Sequence, residues 1–199
     1  MVLSIDCETS GLIPKGAEPG SGQFPWPCQI GAVLFGLDGR DRAQFGSRIR
    51  ADGRTIGSGA AGVHGISSRE AGRTGIPEVI ALGAVCAFAA EARFLVGFNV
   101  AFDRAVLESA LIRLGKDTRK LIRPGLQVVD LQRPAAAFCK INSGHESGSY
   151  KWPSLDEALA GMRNERRRKG HDALVDAKSA KRLFLSLHHR GALDIGVAA

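Results

Sequence analysis

Val2-Leu3-Ser4-Ile5-Asp6-Cys7-Glu8-Thr9 decides the architecture. The apolar run Val2 to Ile5 reads as a first strand, and it ends in two acids separated by one cysteine. Outward from it, Gly11 to Pro27 is rich in Gly and Pro and reads as a long loop. Gln29 to Phe35 and Ala43 to Ile49 then read as second and third strands, and the Asp38-Gly39 turn between them makes a hairpin. Small and polar residues from Gly57 to Gly75 predict short helical turns or loops. Pro77 suits a first helical position and opens the apolar helix Val79 to Ala90.

The second half alternates. Phe94 to Gly97 reads as a buried strand, Ala101 to Leu114 as a helix, and Leu126 to Val129 as a strand ending in Asp130. Ser154-Leu-Asp-Glu157 is a capping box that starts a helix at Leu155 running to about Gly161. Asp172 is a good N-cap for a last helix reaching His188, with Gly191 as its stop. Antiparallel strands followed by alternating helices and strands indicate one α/β domain over residues 1–199, with a mixed sheet and no internal repeat.

Composition excludes several classes. A chain of 199 residues with 44% hydrophobic and 24% charged residues can bury a core, so wholesale disorder is ruled out. The apolar run between Glu78 and Glu91 is well short of the roughly 20 residues that a membrane-spanning helix needs. The N-terminus has no basic region before its first acid, and Cys7, Cys28, Cys86 and Cys139 form no C-x-x-C pair, so a cytoplasmic protein without a signal peptide is expected. A net charge of +7 favours a polyanionic partner.

Three segments carry chemistry. Asp6 and Glu8 are two apart at the strand's end, so alternation points both the same way, and side-by-side acids repel unless a hard divalent cation such as Mg²⁺ or Mn²⁺ lies between them. Asn99 and Asp103 fall one helical turn apart, with Asn99 as N-cap, Asp103 in the first turn and Phe102 turned to the core. His171 precedes the Asp172 cap and so lies on a loop, free to swing over a metal site to which Asp176 is fixed by its helix. An imidazole there suits proton transfer near neutral pH.

Ile5-Asp6-Cys7-Glu8-Thr9-Ser10-Gly11-Leu12, Leu95-Val96-Gly97-Phe98-Asn99-Val100-Ala101-Phe102-Asp103 and His171-Asp172-Ala173-Leu174-Val175-Asp176-Ala177 together resemble, in order and spacing, the three motifs of the DEDDh 3′–5′ exonucleases. That family includes polymerase proofreading subunits and RNase T-like enzymes. Lesser matches are Gln29-Ile30-Gly31-Ala32-Val33 and Val63-His64-Gly65-Ile66, and the likeness spans about Val2 to Phe184. It implies an RNase H-like fold, with a central mixed five-stranded sheet flanked by helices. It implies that Asp6, Glu8, Asp103 and Asp176 hold two divalent cations, Mg²⁺ or Mn²⁺, with Asp6 bridging them and His171 as general base. The implied reaction removes nucleoside 5′-monophosphates from single-stranded DNA or RNA 3′ ends by two-metal chemistry. By the same likeness, Thr9 lies near the terminal 3′-hydroxyl, Leu12 against the terminal base, and Asn99 and Phe102 beside the substrate.

The chain departs from the family pattern in three places. Phe98 stands where many relatives have His. The loop after Leu12 is long and holds Phe24 and Trp26, which either stack on a base or plug a local gap. Arg166-Arg167-Arg168-Lys169 comes just before His171, either guiding phosphates or forming a solvated face. Gly57-Ser-Gly59-Ala-Ala-Gly62 fits a dinucleotide fingerprint but follows no apolar strand, so it reads as a decoy. His64 reads as a hydrogen-bonding structural group, and His188 and His189 as complements to a helix dipole. About ten residues follow the last helix, so a long polymerase-binding tail is not expected. The residues do not decide whether a homodimer forms. The rival functions are a binding module without turnover and an endonuclease of the wider RNase H-like group. The preference between DNA and RNA is read as slightly towards DNA.

Overall fold

A computed structural model describes residues 1–142, 150–163, 171–193 and 195–196. The basic run Arg166–Lys169 lies outside the described residues. The first strand, β1 (Val2–Thr9), carries both acids towards its end, as expected, and continues to Thr9. The reason is cross-strand pairing: Asp6, Cys7 and Glu8 lie opposite Gly31, Ile30 and Gln29 of the antiparallel strand β2 (Pro27–Phe35). The turn at Asp38-Gly39 closes the hairpin to β3 (Asp41–Arg48), with Gly39 at a φ of 77° that its lack of a Cβ allows.

Two short helices follow in the small-residue stretch, α1 (Ser58–His64) and α2 (Ser68–Thr74), and then α3 (Glu78–Glu91). Strand β4 (Phe94–Gly97) lies parallel to β1, helix α4 (Val100–Arg113) follows it, and β5 (Gln127–Asp130) lies parallel to β4. The sheet order is β3-β2-β1-β4-β5, a mixed five-stranded sheet with β1 at its centre. Helix α5 (Gln132–Cys139) was not expected from the sequence. Asp130 starts it: its Oδ1 accepts the Gln132 N–H at 2.9 Å, and Pro134 falls in the first turn, where no backbone donor is needed.

The chain ends with α6 (Leu155–Arg163) and α7 (Ala173–His189). The capping box forms, with Ser154 Oγ accepting the Glu157 N–H and a Glu157 oxygen accepting the Ser154 N–H. Alternation along β1 sends Leu3, Ile5 and Cys7 to a core shared with α3 and α4, and Val2 to a second core under α6 and α7. Leu183, Phe184 and Leu187 of α7 are fully buried there, each worth about 1.5–3 kcal/mol, and Phe184 meets Phe35 edge-on at 5.8 Å. Among the described residues no helix is long and apolar enough to cross a membrane.

Candidate functional site

Ser4, Asp6 and Glu8 share the face of β1 turned to α7, and the buried Ser4 hydroxyl donates to the Ala177 carbonyl at 2.8 Å. What brings α7 down onto that face is a glycine. A Cβ at Gly31 would lie 2.1 Å from the Ala173 carbonyl oxygen, so only the bare backbone of β2 admits the first turn of the helix. A polar clamp sets its angle: Gln29 Nε2 donates to Asp172 Oδ2 at 2.8 Å, while Asp172 Oδ1 accepts the N–H groups of Leu174 and Val175, both at 3.1 Å. Asp172 is thus the predicted N-cap, and it also pins the helix to the sheet. His171 is held just outside the helix and Asp176 one turn inside it.

The result is a cluster. Ligand atoms of Glu8, His171 and Asp176 all lie within 4.8 Å of one another, with both acids buried and the imidazole exposed. Asp6 and Asp103 lie outside this tight trio. Asp103, 5% exposed at the start of α4, reaches β1 from the opposite side of the sheet, and its Oδ1 accepts the backbone N–H of Cys7 at 2.9 Å. That bond ties it between the two acids of β1. Burial, with lesser help from the charges of Glu8 and Asp130, pushes the Asp103 carboxyl up to about 8, against the pull of two backbone hydrogen bonds. The Cys7 thiol is raised well above its usual range, first by burial and then by the charges of Asp103, Asp6 and Glu8.

These facts test the donor set for a metal. Hard carboxylate oxygens and one imidazole, close enough to share a cation, fit a divalent ion such as Mg²⁺ or Mn²⁺.

Asn99 occupies the N-cap position of α4 but in a left-handed conformation, φ 61° and ψ 42°, and its side chain makes no cap bond. The expected side-chain capping by Asn99 is therefore corrected. The chain must turn sharply between β4 and α4, which leaves Asn99 exposed, with its backbone N–H donated to Asp130 Oδ1 at 3.1 Å. Asp130 is the residue that sequence reasoning underused, since it holds this turn and the start of α5 together. Phe98, at the family's His position, is half-buried against the second core.

Beside Glu8 opens a pocket of about 460 Å³ walled by Thr9, Leu12, Val63, His64 and Phe102, among others. Leu12 is 85% exposed on its rim. The Thr9 hydroxyl donates to the Gly11 carbonyl at 2.8 Å. The Ile66 N–H donates to His64 Nδ1 at 3.1 Å, so the ring proton sits on Nε2 and is directed at the Thr9 carbonyl, 3.2 Å away. Burial lowers the His64 pKa, in keeping with a neutral ring that braces Thr9.

The base-stacking option for Phe24 and Trp26 is not met, because both are buried in the core of their loop. Trp26 donates its Nε1–H to the Thr55 carbonyl at 3.1 Å and carries the Arg54 guanidinium 4.3 Å above its ring. The glycine-rich decoy is the start of α1, with Gly57 bound to the Ser10 carbonyl. His188 is buried and stacked on Phe184 at 6.0 Å, so it packs the core besides lying near the end of α7.

No family model matches the chain. No curated protein matches it either. Solved structures do. E. coli exonuclease I in complex with a dT13 oligonucleotide aligns with a TM-score of 0.75 at 19% identity, over 95% of this chain and 41% of that one. The zinc-bound form of the E. coli exonuclease I complex with single-stranded DNA gives 0.74 at 19% identity, over 95% and 40%. A product-bound exonuclease I gives 0.73 at 18%, over 94% and 43%. The chain thus spans about two fifths of the length of those proteins. The likeness is one of fold: the mixed five-stranded sheet flanked by helices is the RNase H-like arrangement of these exonucleases.

Proposed function

We propose that this chain is a DEDDh-type 3′–5′ exonuclease that trims single-stranded nucleic acid, with DNA slightly favoured over RNA. The observation that carries the reading is the convergence of Glu8, His171 and Asp176 within 4.8 Å, at the sheet end to which Asp103 is also tied. A pure binder has no use for buried acids beside a phosphate backbone that they repel. The solved relatives in fold were captured with single-stranded DNA, which supports the same substrate class here.

Asp6, Glu8, Asp103 and Asp176 would hold two divalent cations, Mg²⁺ or Mn²⁺. Such ions, when bound, acidify water and offset charge on the departing oxygen. The rest belongs to the chain. His171, exposed and outside its helix, accepts the proton of the attacking water as the water oxygen joins phosphorus and the bond to the 3′ oxygen breaks. Thr9, its carbonyl braced by His64, faces the terminal 3′-hydroxyl. Leu12 and Phe102 bracket the terminal base in the apolar pocket, and Asn99 lines the approach. The product is a nucleoside 5′-monophosphate.

The test is digestion of end-labelled single-stranded DNA, duplex DNA, RNA and a circular strand of matched sequence with Mg²⁺ or Mn²⁺. The expected result is a ladder receding from the 3′ end of the single strands, abolished by EDTA and by Asp6→Ala, with DNA shortened somewhat faster than RNA. Retarded migration without shortening would identify a binder. Cleavage of the circle would identify an endonuclease.

A further inference from the structure

Gly11 and Leu12 separate the apolar pocket from a second cleft of about 540 Å³. Among the described residues, the charged ones in its wall are Arg54 and Arg113, which arrive from the segment before α1 and from the end of α4. Both bind the same oxygen: Glu78 Oε1 accepts from Arg54 at 2.9 Å and from Arg113 at 2.8 Å. One carboxylate against two guanidinium groups leaves one positive charge over, and guanidinium cannot shed its proton to relieve it. Arg54 is fixed further by its bonds to the Ala51 and Arg50 carbonyls and by the Trp26 ring beneath it.

Two donors in the same wall have no acceptor among the described residues: the buried Nε–H of Arg113 and the buried hydroxyl of Ser21. Burying a donor without a partner is unfavourable. A surplus cation and two unsatisfied donors in one wall call for an anion with several oxygen acceptors. We propose that this cleft binds a backbone phosphodiester of the strand whose 3′ end occupies the carboxylate site across Leu12. The identity of that ligand rests on the exonuclease reading. The anionic chemistry of the cleft does not.

The experiment measures binding of 5′-fluorescein-labelled dT12 by anisotropy, with Ca²⁺ replacing Mg²⁺, for the wild type, Arg113→Gln, Ser21→Ala and Ser21→Asp. Thymidine 5′-monophosphate and inorganic phosphate are titrated alongside by calorimetry. Arg113→Gln and Ser21→Asp should weaken dT12 about tenfold and Ser21→Ala about threefold, since a hydrogen bond to a charged group is lost in each. Affinity for the mononucleotide, which reaches only the terminal pocket, should stay within twofold of wild type. Ser21→Ala removes a hydroxyl that bonds nothing in the free protein, so its melting temperature should not fall, and it keeps the test valid if Arg113→Gln folds poorly. Variants that all bind dT12 like the wild type overturn the proposal. So does inorganic phosphate binding that depends on Arg113 while dT12 affinity does not, which would mark a site for free anions. If the variants lose dT12 but the wild type shortens no strand in Mg²⁺ or Mn²⁺, the phosphodiester cleft stands and the exonuclease reading fails.

Discussion

The carboxylate cluster and the cleft beyond Leu12 carry opposite charge and resolve it in opposite ways. On one side, Glu8 and Asp176 are buried within reach of one another, Asp103 is tied beside them through the Cys7 N–H, and burial pushes its carboxyl up to about 8. On the other, Arg54 and Arg113 share Glu78, so half of their charge is already balanced inside the protein. On the proposed reading, the acidic side would be completed by cations, whereas the two arginines already share an internal carboxylate.

The sharpest way to break that contrast is Asp176→Asn. In the acidic cleft it should cut strand shortening by about 10³-fold, the scale on which loss of one charge-stabilising group acts in a preorganised site. The folded state should be no less stable without metal, because a buried like charge has been removed. If shortening fell only a few-fold, the acidic cluster would not be the reaction centre. Digestion rate and thermal melting read the two effects separately.

Gly31→Ala should produce the next largest effect, on both sides of the comparison unequally. The added methyl meets the Ala173 carbonyl, so α7 must shift, at a cost of roughly 3 kcal/mol in urea unfolding. Because Asp176 rides on that helix and His171 immediately precedes its cap, shortening should collapse while dT12 binding through Arg54 and Arg113 is largely kept.

A smaller and gradual effect separates the clefts by pH. In the metal-free fold the Asp103 carboxyl keeps its proton up to about 8, whereas its ordinary value is 3.8. The folded state therefore binds more protons than the unfolded chain, and the stability tied to that proton, complete below about 4, is lost as pH rises through about 8. The melting temperature of the metal-free protein should fall between pH 6.5 and 8.5, and the gain on adding Mg²⁺ should be larger at pH 8.5. In Asp103→Asn both trends should flatten. Arginine does not titrate in this window, so the basic cleft contributes no slope of its own.

Much of this was legible from local signals. The hairpin turn at Asp38-Gly39, the capping box at Ser154 and the Asp172 cap each depend on neighbours within a few residues, and each formed where the sequence indicated. The expected site residues Glu8, His171 and Asp176 converge for a similar reason, since strand alternation and helix phase orient them. Local rules failed where a distant partner intervened. Trp26 looked available to a ligand until Thr55 and Arg54 covered it, and Asn99 looked like a cap until the turn from β4 drew its backbone to Asp130.

From its residues alone, then, the chain dictated which segments become strands and helices and which acids share a face, because those follow from the 2.0 and 3.6 residue periods and from caps. Packing alone decided that α7 rests on the bare backbone at Gly31, that Asp103 crosses to Cys7, and that Glu78 gathers two arginines beside the buried Ser21 hydroxyl. Such contacts join residues far apart in sequence, and their energies depend on burial and close approach, quantities that exist only once the sheet and its helices have come together.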